Sequence, residues 1–96
     1  MRYTLAARAD HELSALYQES AERFGLQQAD RYVANLRDVC AFIAEFPLAA
    51  RERDEIVPPV RARRQVAHLI IYEVIGDEVR ILRFAHARSD WISDPH

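Results

Sequence analysis

Apolar residues recur along the chain with two periods, and the change of period marks its elements. In residues 2–6, RYTLA, Tyr3 and Leu5 share one face at period two, as in a short strand. From there Ala9, Leu13, Leu16, Tyr17, Ser20 and Phe24 fall at three- and four-residue steps, which predicts an amphipathic helix. Asp10 is a candidate N-cap for it, with a start near Ala7 as the alternative. Gly25 is placed to end it. A second stripe, Ala29, Tyr32, Val33, Leu36, Cys40 and Ile43, predicts a helix from about Leu26 to Phe46, stopped by Pro47. So short a link makes the two an αα-hairpin.

Residues 47–59 form a charged connection closed by Pro58-Pro59, and the pattern then becomes strand-like. VRARRQV (60–66), HLIIYEVI (68–75) and VRILRFAH (79–86) read as an antiparallel meander, with a hairpin at Ile75–Glu78 around Gly76-Asp77. The order β-α-α-β-β-β predicts an α+β fold: an N-terminal strand and a two-helix hairpin packed on an antiparallel sheet, residues 1–96 being a single domain. The 68–75 strand is apolar on both faces, with Ile70, Tyr72 and Val74 on one and Leu69, Ile71 and Ile75 on the other. A half-solvated strand would alternate. The hairpin covers one face, so the C-terminal tail, a second copy or another protein is expected on part of the other.

Composition narrows the function classes. The formal net charge is −2, and all 13 basic side chains are arginines. A nucleic-acid binder normally carries a basic excess, so such a role would need a local patch. No apolar run approaches the about 20 residues that span a bilayer, and MRYTLAARAD lacks the apolar core of a secretory signal. A cytoplasmic location with no membrane partner is the expectation. Cys40, the only cysteine, lies on the second helix's stripe and is expected to be a buried, inert thiol. His11-Glu12 opens like a zinc-protease motif, but position 15 is Ala; no metal site, phosphate loop or cofactor motif follows.

Two constellations remain. Arg61, Arg63 and Arg64 read either as a solvated edge strand or as a patch for an anion or acidic partner. Arg83, His86, Arg88 and Trp91 crowd the end of the last strand. Histidine is an acid or base, and arginine and tryptophan are interface anchors. The alternative is that His86 meets a backbone group and Trp91 fills the core edge.

The ordered set of short motifs resembles the RelE/ParE toxin family over nearly the whole chain. It comprises Tyr3-x-Leu5, Ala9-x-x-Glu12-Leu13-x-x-Leu16-Tyr17, Gly25-x-x-Gln28-Ala29-x-x-Tyr32, Phe46-Pro47-Leu48-Ala49 with Arg51, Val60-Arg61, His68-x-Ile70-Ile71-Tyr72, Val79-x-Ile81-Leu82-Arg83 and His86-x-Arg88-x-Asp90-Trp91. The resemblance implies a type II toxin silenced by an antitoxin in a hetero-oligomer. Within the family the chain is closer to the ParE branch, whose members resemble plasmid-stabilisation proteins and poison DNA gyrase. The RelE branch cleaves mRNA on the ribosome and tends to be strongly basic with a C-terminal tyrosine. Here the pI is about 6.1 and no tyrosine follows Tyr72.

The first expectation is therefore a non-enzymatic gyrase inhibitor with a ParD-like antitoxin, without sequence-specific nucleic-acid binding. Its partner-binding residues are expected to be Arg61, Arg63, Arg64, Leu69, Ile71, Arg83, His86, Arg88 and Trp91, with the antitoxin on the sheet face that carries Leu69 and Ile71. The alternatives are an mRNA endonuclease using His86 with Arg61 and Arg83, and an inactive member that only binds its partner.

Overall fold

A computed structural model describes residues 1–96. Strand β1 (Arg2–Leu5) leads into helix α1 (Ala7–Phe24), and α2 (Leu26–Glu45) follows. Then come β2 (Glu52–Arg53), β3 (Val60–Gln65), β4 (His68–Ile75), β5 (Glu78–His86) and a 3-10 turn at Trp91–Ser93. The sheet order is β1-β5-β4-β3-β2. The expected meander β3-β4-β5 is its antiparallel centre. Strand β1 adds to it in parallel along β5, and the connection contributes the short β2.

Helix α1 begins at Ala7, so Asp10 is not its cap. The Ala6 N–H donates to the Ile81 carbonyl at 2.8 Å, which ties the chain to the sheet one residue before the helix. Asp10 instead stands in the first turn, where a carboxylate complements the helix dipole. Gly25 joins the helices at φ +92° and ψ 163°, a backbone region that is essentially glycine's alone.

The helical stripes meet one face of the sheet. Ala9, Leu13, Leu36, Cys40 and Ile43 pack against Ile70, Tyr72, Val79, Ile81 and Phe84. Burial pushes the Tyr72 hydroxyl's pKa up, and the hydroxyl donates to the Pro47 carbonyl at 2.8 Å, fixing the turn after α2. The other face of β4 is also covered, by the chain itself. Ile56 and Val60 from the connection and Trp91 from the tail close over Ile71, Leu82 and Ala85. Of the three expected covers, this chain uses its tail, together with the connection.

Two details of β5 position everything at that end of the sheet. Cα pairing runs Ile75↔Glu78 to Tyr72↔Ile81, then Ile71↔Arg83, which leaves Leu82 without a partner. That bulge reverses the facing of the residues beyond it. Phe84 enters the hairpin core and Leu82 the opposite one. Past Ile81, moreover, β5 has lost its neighbour β1 and would be a free edge.

Glu12 of α1 fills the gap. Its Oε1 accepts the Phe84 N–H at 3.2 Å, and its Oε2 takes the Arg83 Nη2 at 2.6 Å. The other end of the guanidinium donates from Nη1 to the Asp94 carbonyl at 2.8 Å. One arginine thereby joins helix, strand and tail. The pair is largely withdrawn from solvent, with side-chain exposures of 12% for Arg83 and 21% for Glu12.

Removing the carboxylate strands both a backbone N–H and a guanidinium. Hydrogen bonds to charged groups are worth more than neutral ones, so Glu12→Ala should lower stability by about 2 kcal/mol. A urea denaturation series measures this. Trp91→Ala opens a cavity in the second core and should cost at least as much, about 3 kcal/mol.

Candidate functional site

At the end of the sheet away from the β4–β5 turn, the helical hairpin overhangs the β3–β4 turn and the last residues of β5. Beneath it lies a groove of about 770 Å³. Tyr32 reaches in from α2, His68 opens β4 and His86 closes β5. The two histidines are cross-strand partners, with ring centroids 5.4 Å apart and the rings nearly perpendicular. Tyr32 Oη lies 2.6 Å from His68 Nδ1. His86 Nδ1 accepts the Arg88 N–H at 3.0 Å, so the neutral ring carries its proton on Nε2.

Burial, and then the like charge of His86, hold the His68 pKa below its ordinary value. No third His, Cys, Asp or Glu side chain completes a metal-ligand set there. Burial also pushes the Tyr32 hydroxyl up, and it pushes the Cys40 thiol up to about 12. Cys40 is therefore protonated at neutral pH and inside the core, as its stripe position predicts.

The pairing of His68 with His86 depends on the bulge. A regular register from the β4–β5 turn would set His68 opposite Ala85; the extra residue at Leu82 advances β5 by one and brings His86 there. No pattern of residue types announces that shift, so His68 and Tyr32 read as strand and core residues in the sequence. A smaller recess of about 240 Å³ lies beside the groove, between Arg64 and Arg88. The turn that separates the two, Val66-Ala67, holds Val66 at φ +53°, an unusual position for a β-branched residue. The Arg64 Nε donates to the Val66 carbonyl at 2.7 Å.

The expected site residues therefore scatter. His86, Arg64 and Arg88 share the recess. Arg61 and Arg63 lie on the helix-facing side, opposite Tyr72 and Ile70, whereas Arg64 pairs with Leu69 and points to the other side. The three arginines do not make one patch. Arg61 is spent on the Ala50 carbonyl at 2.6 Å, and Arg63 stacks 4.6 Å over the Phe42 ring. Arg83 belongs to the Glu12 pin, and Arg61, Arg83 and His86 serve three different partners instead of converging on one reaction centre. Ile71 and Trp91 are buried, so the sheet face expected to receive an antitoxin is not open at either. Leu69 packs at the margin of that core, partly exposed.

Exposed aromatic side chains were missed too. Phe42 and Phe46 stack at 5.1 Å on the flank of α2. The signal was present: bulky apolar residues that fall off the buried stripe of an amphipathic helix.

A family model described as the ParE toxin of the type II toxin–antitoxin system parDE matches residues 3–91. The chain belongs to the ParE toxin family. It is 30% identical over 90 residues to Toxin ParE1 of Mycobacterium tuberculosis strain H37Rv, covering 93% of this chain and 92% of that one. Toxin ParE1 of Caulobacter vibrioides is 30% identical over 84 residues, 88% of this chain and 86% of the relative. The fold matches a solved structure titled as the chromosomal ParDE TA system from P. aeruginosa, with a TM-score of 0.75 and 22% identity over 90% of this chain and 95% of that one. The α+β architecture expected from the sequence is thus the architecture of a ParE family member. No helix in it is long and apolar enough to cross a membrane.

His68 makes stability depend on pH. A histidine whose folded pKa lies below the unfolded value of 6.5 binds fewer protons folded than unfolded. Its contribution is whole above about pH 6.5 and is lost as the pH falls towards the folded pKa. Melting temperature should therefore decline more steeply below pH 6.5 in the native chain than in His68→Gln, as thermal scans across pH 5 to 8 can check.

Proposed function

We propose that this chain is a toxin that inhibits DNA gyrase by binding it, and that a ParD-like antitoxin encoded with it silences it by covering an exposed apolar surface. The observation that carries the reading is the family match along residues 3–91. The dispersal of Arg61, Arg83 and His86 supports binding over mRNA cleavage, because acid–base chemistry needs its groups within reach of one scissile bond.

The antitoxin surface we favour is the flank of α2. Phe42, Phe46 and Leu48 are 41%, 51% and 68% exposed and lie in one stretch of chain. Arg63 stands over Phe42 at its border, and Arg61 follows along the same side of β3. Contiguous exposed apolar side chains mark interaction surfaces. Arginines at the rim would steer an acidic partner more than add affinity. Binding to the folded state alone would also raise its apparent stability.

Expression without the antitoxin should arrest growth, with inhibited supercoiling by purified gyrase and intact mRNA. Codon-specific cleavage of mRNA in a purified translation system would instead establish the endonuclease reading.

Phe46→Glu changes an exposed position, so the chain should fold. Its affinity for the antitoxin should fall at least tenfold by calorimetry. Undiminished affinity would place the antitoxin elsewhere.

A further inference from the structure

The arginines of this net-acidic chain are unevenly placed, and several collect along one groove. Arg23 and Arg31 line it on the helical side. Across the Val66-Ala67 turn and His86, which line both, it adjoins a smaller recess that holds Arg64 and Arg88. None of the chain's ion pairs engages Arg31, Arg64 or Arg88. The groove's one acidic side chain is Glu19, already 3.5 Å from Arg23. At its mouth the Phe24 ring is 57% exposed, with the Arg23 guanidinium 5.4 Å from its centroid. His68, His86 and Tyr32 add polar atoms inside it.

We propose that this groove, with the adjoining recess, binds single-stranded nucleic acid without reading its sequence: Arg31 and Arg88 hold phosphates of the strand, His86 donates to one of them, and a base stacks on Phe24. The chemistry follows from the side chains. Guanidinium forks suit phosphate oxygens, and the Nε2–H of His86 is free to donate because its Nδ1 already accepts. Exposed aromatic rings beside a basic groove stack bases of any sequence. An acidic peptide would meet the same arginines but would leave the Phe24 ring without a planar partner. The inference is independent of the gyrase and antitoxin readings, since the groove shares no residue with the Phe42–Leu48 surface.

The charged and titratable groups facing His68 and His86 are Glu19 and Arg23 from α1, Arg31 and Tyr32 from α2, and Arg64 and Arg88 from either side of the turn. Cations outnumber the single carboxylate, so the groove favours an anion.

The test is fluorescence anisotropy of a fluorescein-labelled oligothymidylate with the purified chain over a salt series. Binding should weaken with salt. Each phosphate contact on a single strand contributes about 0.7 to the salt slope, so the double variant Arg31→Gln, Arg88→Gln should lower the slope by about 1.4. Both positions are exposed, so the fold should persist, with circular dichroism as the check. Phe24→Ala should weaken binding roughly tenfold. Arg37→Gln, an exposed position outside the groove, should weaken binding less than Phe24→Ala does.

No binding by the native chain, or a salt slope that the folded double variant leaves unchanged, would overturn the proposal. So would polyglutamate displacing the oligonucleotide at equal concentration, which would assign the groove to an acidic protein.

Discussion

Strand β4 buries side chains on both faces, and that single constraint organises the molecule. Ile70 and Tyr72 need a cover on one side and Ile71 on the other. One αα-hairpin supplies only the first. The fold has no second layer of helices to supply the other. The connection after α2 and the tail after β5 do so, through Ile56, Val60 and Trp91. This explains why segments that look like linkers in the sequence carry buried residues. It also closes the middle of the sheet on that face, where Ile71 and Trp91 are buried.

The tail holds its place only because β5 is bent to receive it. The bulge at Leu82 turns that residue into the second core and leaves Phe84 facing the first. A bulge at an edge exposes backbone, and here Glu12 meets the exposed N–H while its charge is balanced by Arg83. Arg83 in turn holds the Asp94 carbonyl, and Asp94 also pairs with Arg8 at 2.8 Å. A carboxylate on the first helix is thus linked through one guanidinium to the strand that carries His86 and to the tail that carries Trp91. The site and the second core share a support.

Much of this was legible in the residue pattern. Helix extents, the Gly25 break, the β4–β5 turn and the double-faced character of β4 all follow from periodicity, because each depends on neighbours close in sequence. What periodicity could not give were features set by partners far away. The parallel pairing of β1 with β5 is one. The bulge is another, since apolar residues at both Ile81 and Leu82 fit either parity. The cluster 61-63-64 looked like one patch because the residues are adjacent, although strand geometry sends Arg64 to the face opposite Arg61 and Arg63. Trp91 looked like an interface anchor, and its burial is decided by a face left uncovered elsewhere.

Net charge is a poor guide to this surface for the same reason. Arginines that contribute equally to the formal charge have unequal freedom in the fold. Arg83 is committed to Glu12, Arg61 to a carbonyl, Arg8 to Asp94, and Arg53 lies 5.4 Å from the centroid of the Trp91 ring. The charges of Arg83, Arg8 and Arg53 are matched by nearby carboxylates and project little field. Five carboxylates are engaged in the chain's ion pairs, and the sum of −2 does not show where the remaining charges lie. What a ligand meets is the remainder, and the remainder differs from place to place. Around His86 it is positive, because Arg31, Arg64 and Arg88 have no carboxylate within ion-pair distance. A weakly acidic chain can therefore present a basic groove, because the fold gathers arginines there with a single carboxylate among them.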